Sequence, residues 1–149
     1  MLVPGLYQFF RRQLQHGFIQ QGLAEPATVD YVSDVLTRFA HTRAFYLIEN
    51  AEGAPIETIA GLLAEWHRTQ GWDDATPNRS REALVVRHLG EFTLFMSGLF
   101  RDRLRARGQL AYYIAQGRSA FWRCASREHN PRQAQVFRGL RDLDFVALQ

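Results

Sequence analysis

The chain contains no lysine and only one cysteine, and both shortages narrow what it can be. All eighteen cationic side chains are arginine, so each positive charge is a planar guanidinium suited to carboxylates and phosphates. Cys124 has no partner for an internal disulfide, so we expect packing to supply the stability, and a reducing compartment is compatible. No apolar run reaches the ~18 uncharged residues that a membrane-spanning helix needs. These absences predict a cytoplasmic protein without membrane contact, and the arginine-only usage is typical of a bacterial, GC-rich genome.

Motifs that would specify a reaction are also missing. The sequence has no His-x-x-x-His, Cys-x-x-Cys or Glu-x-x-His spacing, so it predicts no metal centre. It has neither a Gly-x-Ser-x-Gly elbow nor a glycine-rich phosphate loop. We therefore expect no cofactor. Whether the chain is an enzyme stays open, and a non-catalytic role is favoured.

The sequence does have enough apolar material for one core. Of its 149 residues, 46% are hydrophobic and 13% are aromatic, which is typical of a globular chain of one domain. Apolar residues recur at three- and four-residue spacing, which predicts helices and no convincing strand. We expect a single all-α domain over residues 1–149. Five to six helices would form an orthogonal or bundle-like array around a central apolar helix at about 80–100.

The boundaries of these elements follow from the apolar spacing and from helix start and stop signals. Residues 44–54 are interpreted as a connector, because their apolar run has no obvious strand partner. Residues 72–78 carry the strongest loop signal. The predicted helices cover about 5–21, 26–40, 55–71, 77 or 80–100, 109–128 and the stretch from Pro131 onward.

The central helix carries two unusual features. Gly90, Thr93 and Ser97 belong to one row of small side chains, which predicts close approach by a second helix. His88 falls inside the apolar face, and Glu91 lies one turn further on. A carboxylate at this spacing can accept a hydrogen bond from the imidazole and raise its pKa, as a general base requires. The alternative, which we favour, is a core histidine whose ring nitrogens are satisfied by Glu91 and one other group.

The two halves of the chain carry opposite charge. Residues 1–74 hold five arginines against nine acidic residues, and residues 75–149 hold thirteen arginines against six. The densest basic patch consists of Arg101, Arg103, Arg105 and Arg107. In a helix the first and third of these would share one side, and the second and fourth would share another.

This polarity has two interpretations. The basic half can pair with the acidic half, within one chain or across a dimer, which is the interpretation we favour. Alternatively, the arginines and the aromatic residues Tyr112, Trp122 and Phe137 can contact phosphates and stack on bases. No nucleic-acid-binding motif accompanies the arginines.

Aromatic residues on several predicted helices can also line a pocket. Tyr113 and Arg118 belong to the fifth predicted helix, and Arg118 lies at the margin of its apolar stripe, where it could hold an acidic group. His67 lies at the edge of its helix and could converge on His88. His41 falls on a polar side and is expected at the surface.

Three functional hypotheses follow from these patterns. The first is a non-catalytic protein-interaction or accessory protein that forms a homo-oligomer or binds a protein partner. The second is a helical pocket protein, possibly an enzyme, that binds a small acidic or apolar ligand. Its candidate residues are His88, Glu91, Tyr113 and Arg118. The third is nucleic-acid binding through the arginine-rich C-terminal half.

Overall fold

The protein is all-α, as the periodicity predicts. The computed structural model describes residues 5–20, 25–41, 47–71 and 76–142, and these ranges contain seven helices. The helices are α1 (Leu6–Gln20), α2 (Pro26–Phe39), α3 (Ile59–Thr69), α4 (Arg79–Leu99), α5 (Arg101–Ala106), α6 (Leu110–Arg127) and α7 (Pro131–Asp142). No described helix combines the length and apolar character required to cross a membrane.

Helix α4 is the centre of the array, which confirms the predicted central helix. It packs most extensively on α6 and also contacts α2, α3 and α5, while α7 packs on α6 and α2, and α1 packs on α2. Every residue from 88 to 95 is buried, so this part of the helix is covered on all sides. A helix apolar on one stripe only would leave its other side in solvent.

Close approach of α6 to α4 depends on Gly90. A Cβ atom built on Gly90 would lie 2.9 Å from Cε1 of Phe121, which is closer than carbon atoms pack. Thr93 and Ser97 continue the same row and are fully buried. Their hydroxyls donate to the carbonyl oxygens of Gly90 and Thr93, so each of these two buried hydroxyls has a partner. The prediction of a close helix contact along this row is confirmed.

Side-chain caps begin α3, α4 and α7. In α7 the cap is Asn130, whose Oδ1 accepts from the backbone N–H groups of residues 132 and 133. Oδ1 of Asn78 accepts from the backbone N–H of Arg81 at 3.0 Å, which begins α4. Oγ1 of Thr58 accepts from the N–H of Gly61 at 3.0 Å, which begins α3. Helix α3 therefore starts at Ile59, and the predicted start at position 55 is wrong.

The residues before α3 form a tight turn. The N–H of Ile56 donates to the carbonyl of Ile48 at 2.8 Å, next to an isolated antiparallel bridge between Glu49 and Pro55. Among the described residues this bridge is the only extended pairing, so the predicted connector is a turn without a strand over 47–54. Residues 44–46 of that connector lie outside the described residues.

Other predicted boundaries differ in detail. The short helix α5 follows α4 after a break at Phe100. The described residues therefore hold seven helices, where five to six were predicted. On α1, Phe9 is half-exposed, whereas Phe10 and Leu14 are buried. Residues 72–75 of the predicted loop and the chain beyond Asp142 lie outside the described residues.

Candidate functional site

Three buried glutamates organise the charged side chains of this protein. Glu65 on α3 and Glu82 and Glu91 on α4 are each almost completely buried. Each carboxylate forms ion pairs with two arginines. Burial of an unpaired carboxylate would be costly, so these arginines make the burial possible.

The Glu91 cluster joins α2 to α4. The hydroxyl of Tyr31 donates to Oε2 of Glu91 at 2.5 Å, and Nη2 of Arg38 donates to Oε1 at 3.1 Å. Nε of Arg87 donates to Oε2 at 3.2 Å. Burial raises the pKa of Tyr31 well above its usual value, and the charge of Glu91 raises it further. The tyrosine therefore remains a protonated hydrogen-bond donor.

The Glu82 cluster joins α3, α4 and α6. Nε1 of Trp66 donates to Oε2 of Glu82 at 2.9 Å, and Nε of Arg123 donates to the same oxygen at 3.1 Å. Nη2 of Arg127 lies 3.0 Å from Oε1. Burial opposes ionisation of Glu82, but the hydrogen bonds from Trp66 and Arg123 prevail and lower its pKa.

The Glu65 cluster joins α3 to the start of α4. Nη2 of Arg68 lies 3.0 Å from Oε1 of Glu65, and Nε of Arg81 lies 3.0 Å from Oε2. Nη2 of Arg81 also donates to the carbonyl oxygen of Glu49 at 2.5 Å. This bond attaches the turn before α3 to the N-terminal end of α4.

Glu65 and Glu82 were not predicted as special positions. A signal was available, because Val85, Val86 and Leu89 follow Glu82 by three, four and seven residues. Glu82 therefore lies on the buried face of its helix, where a carboxylate needs partners.

His88 is buried as predicted, but its predicted hydrogen bond to Glu91 is wrong. The residue is 1% exposed, and neither ring nitrogen has a hydrogen-bond partner. Its ring stacks on Phe39, with centroids 5.5 Å apart. Burial lowers the pKa of His88 to about 4, Glu91 acts against this shift, and Arg38 adds to it. The histidine is therefore neutral at pH 7. Glu91 accepts instead from Tyr31, Arg38 and Arg87.

The four pocket candidates do not meet in one described cavity. Tyr113 stacks on Phe92 with centroids 6.3 Å apart, so it belongs to the core around α4. Arg118 is exposed on α6 and lines a shallow surface depression with Trp122 and Arg141. His88 and Glu91 line neither this depression nor the two cavities described below.

The remaining histidines do not form a metal site with the described residues. No group of three or more potential ligands occurs among the residues that the structure describes. His67 is exposed whereas His88 is buried. His41, which is predicted at the surface, is half-buried, and its Nε2 atom is buried without a partner.

Helix α5 and the end of α4 form a basic surface. We call the exposed or half-exposed side chains there the basic corner, which consists of Leu99, Phe100, Arg101, Arg103 and Arg107. It borders an open cavity of about 700 Å³. Nε and Nη1 of Arg101 are buried without a hydrogen-bond partner. Arg101, Arg103 and Arg105 lie within α5. Because α5 is helical, these arginines do not all share one side, as the sequence predicts for a helix.

The turn before α3 forms an acidic surface. We call it the acidic turn, and its exposed side chains are Leu47, Glu49, Glu52 and Glu57. Ile48 and Ile56 of the same turn are buried, so side-chain alternation directs their neighbours outward. Oδ1 of Asn50 accepts from the backbone N–H groups of residues 52 and 54, which holds the turn in shape.

Ion pairs within the chain leave the charge polarity in place. Asp102 and Glu65 take arginine partners. Among the side chains that the structure describes, the carboxylates without an ion pair are Glu25, Glu49, Glu52, Glu57 and Glu128. The described arginines without an ion pair are Arg12, Arg79, Arg101, Arg103, Arg107, Arg118, Arg132 and Arg138. Among the described residues, four of these five carboxylates lie in the N-terminal half and seven of these eight arginines lie in the C-terminal half.

A groove of about 320 Å³ lies between α4, α6 and α7. Its apolar lining includes Leu84, Val86, Cys124 and Phe137, and its charged lining is Arg87, Arg123, Arg127 and Glu128. Burial raises the pKa of Cys124 to about 12, so the thiol is protonated and is not a nucleophile at pH 7.

Trp122 is the most exposed large apolar side chain of the described residues, at 54%. The guanidinium of Arg141 lies over its ring, 5.6 Å from the centroid, and Arg118 lines the same depression. Phe137, the third aromatic residue considered for base stacking, is buried and stacks on Phe121. Trp122 and Tyr112 therefore remain available at the surface, and Phe137 does not.

Comparison of the chain with protein-family models, with curated protein sequences and with solved structures gave no match.

Proposed function

We propose that this chain is a non-catalytic interaction protein that self-associates head to tail, with the basic corner of one copy on the acidic turn of the next. The observation that carries the proposal is the position of the two surfaces at opposite ends of α4. Arg81 attaches the acidic turn to the N-terminal end of α4, and the basic corner begins where α4 ends at Leu99.

The separation prevents the two surfaces from neutralising each other within one chain. Arg81 and Phe100 are nineteen residues apart along the helix, which corresponds to about 28 Å at the helical rise. Exposed charges more than about 8 Å apart are largely screened at physiological salt. A second copy can bring the two surfaces together at contact distance.

Each surface also offers apolar area beside its charges. Leu47 accompanies the acidic turn, and Leu99 and Phe100 accompany the basic corner. Exposed ion pairs alone contribute about 0–1 kcal/mol each, so apolar contact would supply much of the affinity.

The proposed contact is heterologous, because two different surfaces meet. Such contacts close into a ring when the rotation between copies permits it, and otherwise grow into a filament. Either assembly leaves the remaining exposed surfaces of each copy free for a further partner.

The test removes each surface separately and then combines the variants. Glu52→Gln with Glu57→Gln weakens the acidic turn, and Arg103→Gln with Arg107→Gln weakens the basic corner. Sedimentation velocity at low salt should show assembly of the native chain and monomers of each double variant. An equimolar mixture of the two variants should form a one-to-one dimer, since each retains the surface that the other lacks.

A matched control changes the same charge elsewhere. Arg132 and Arg138 are exposed on α7 without ion pairs, so Arg132→Gln with Arg138→Gln should leave assembly intact. A native chain that is monomeric at every concentration would overturn the proposal. So would a control that weakens assembly equally, or a mixture of the two surface variants that remains monomeric.

A second candidate function is nucleic-acid binding at the surface around Trp122. An exposed tryptophan beside Arg118 and Arg141 can stack on a base while the guanidinium groups contact phosphates. Fluorescence anisotropy with a labelled single-stranded oligonucleotide at ~50 mM salt tests this, because phosphate contacts are strongest at low salt. Binding that is lost in Trp122→Ala but kept in Tyr112→Ala would support it, and no binding at low salt would exclude it.

A further inference from the structure

We propose that the groove between α4, α6 and α7 binds a small amphipathic monocarboxylate, with its carboxylate on Arg123 and Arg127 and its apolar body on Leu84, Val86 and Phe137. The groove belongs to neither the acidic turn nor the basic corner. The inference therefore does not depend on self-association.

The shape and lining of the groove favour a short apolar ligand. Its volume of about 320 Å³ lies at the lower end of the ~300–1,000 Å³ typical of small-molecule sites. Val86 and Phe137 form buried parts of the lining, and the protonated thiol of Cys124 adds to the apolar surface. Leu84 is 45% exposed, so covering it would remove apolar surface from water.

Two guanidinium groups of the groove are already held in place. Arg123 uses Nε and Nη2 to bind Glu82, and Arg127 uses Nη2. A guanidinium carries five N–H donors on three nitrogens. The nitrogens that do not bind Glu82 are Nη1 of Arg123 and both Nε and Nη1 of Arg127, and these remain without a partner. A carboxylate ligand would therefore bind to guanidinium groups that the fold already holds in place, so binding would cost little additional side-chain entropy.

The charges of the groove select a monoanion. Two arginines share the single carboxylate of Glu82, which leaves one positive charge uncompensated. Arg87, on the same wall, is engaged by Glu91 and lies over the rings of Tyr31 and Phe137. Glu128 opposes the ligand charge, but its Oε1 atom accepts from the N–H of Asn130 in the turn between α6 and α7. One carboxylate is sufficient to balance the one uncompensated positive charge of the Glu82 cluster.

The experiment is titration calorimetry of the full chain with octanoate, and with 1-octanol as the uncharged analogue. We expect saturable one-to-one binding of octanoate and no comparable binding of octanol. Leu84→Glu places a negative charge at the mouth of the groove and should weaken octanoate binding about tenfold or more. Glu128→Gln removes the opposing charge and should strengthen binding severalfold.

Leu99→Glu is the matched control. Leu99 belongs to the same helix and is 43% exposed, close to the 45% of Leu84, but it lines the basic corner and not the groove. Leu99→Glu should impair assembly and leave octanoate binding unchanged. Leu84→Glu should weaken octanoate binding and leave assembly unchanged. The two proposals can therefore fail independently.

Three results would overturn the ligand site. They are no saturable octanoate binding at about 1 mM, equal binding of octanol, and an equal loss of octanoate binding in Leu84→Glu and Leu99→Glu. Unchanged affinity in Glu128→Gln would show that the carboxylate does not lie at the arginines of this groove.

Discussion

The hydroxyl of Tyr31 donates a hydrogen bond of 2.5 Å to Glu91, a residue sixty positions further along the chain. The bond joins α2 to the middle of α4, and Arg38 and Arg87 bind the same carboxylate. Hydrogen bonds to a charged acceptor are shorter and stronger than those between neutral groups. This contact therefore helps to determine how α2 lies against the central helix.

Replacing Tyr31 with phenylalanine tests the energetic contribution of that bond. Tyr31→Phe should reduce the free energy of unfolding by about 2 kcal/mol, because a buried charged acceptor loses one donor. Urea denaturation followed by circular dichroism measures the change. Tyr7→Phe is the control, since the hydroxyl of Tyr7 reaches Asp30 only at 3.5 Å and at the surface. An equal loss of stability in both variants would contradict the prediction.

His88 should make the stability dependent on pH. The pKa of His88 is lowered from 6.5 in the unfolded chain to about 4 in the folded chain. Below pH 6.5 the folded state therefore binds fewer protons than the unfolded state. The contribution of His88 to the free energy of unfolding is most favourable above pH 6.5 and is lost as the pH falls towards about 4. The loss amounts to as much as about 3 kcal/mol over this interval.

The variant His88→Leu isolates this contribution. It should remove the loss of stability that His88 causes as the pH falls to about 4. At neutral pH it should raise the free energy of unfolding by about 1 kcal/mol, because two unpaired buried nitrogens disappear. Urea unfolding in a series of buffers between about pH 7 and pH 4 measures both effects. The exposed His129 provides the control variant His129→Gln, which should keep the native pH dependence. A native-like pH slope in His88→Leu would contradict the prediction.

Two glycine substitutions should have opposite effects on stability. Gly90→Ala places a Cβ atom 2.9 Å from Phe121, whose ring is fully buried and stacked on Phe137. We expect a net loss of about 1–2 kcal/mol, because overpacking exceeds the gain in helix propensity. Gly139→Ala, in α7, meets only Thr28 Oγ1 at 3.8 Å and should stabilise by up to about 1 kcal/mol. Thermal unfolding of both variants checks the signs, and a stabilised Gly90→Ala would contradict the close contact between α4 and α6.

Self-association should weaken as the salt concentration rises. The charges of the acidic turn and the basic corner are exposed, so increasing the salt from about 0.05 M to about 0.5 M screens them strongly. Sedimentation velocity at fixed protein concentration should show the weight-average mass falling across this range. The buried clusters at Glu82 and Glu91 are screened less, so the melting temperature of the chain should change little. Association that strengthens with salt would instead indicate an interface dominated by apolar contact.

Local sequence signals predicted the helices more accurately than the charged contacts. The apolar spacing around Leu89 is a property of neighbouring residues, so it can be recognised without knowledge of the fold. The start of α3 was predicted too early, because Pro55 suits a first helical turn but pairs instead with Glu49 in the acidic turn.

The site residues were harder to predict for a physical reason. Position along the helix correctly placed His88 inside the apolar face and Glu91 one turn further on, but it did not indicate which groups would face them. Glu91 lies three residues from His88, yet it bonds to Tyr31 and Arg38 on another helix. Guanidinium and phenol donors compete successfully for the carboxylate, and their proximity depends on the packing of α2 against α4.

The amino-acid sequence by itself determined the all-α class, the central helix with its small-residue row, and the opposite charges of the two halves, because each depends on residue type and helical spacing alone. Only the tertiary structure decided which arginines each buried glutamate would hold and which charges would stay unpaired. It also decided where the groove between α4, α6 and α7 would form. These outcomes depend on contacts between residues such as Glu82 and Arg123, which lie 41 positions apart and meet only when α6 packs on α4.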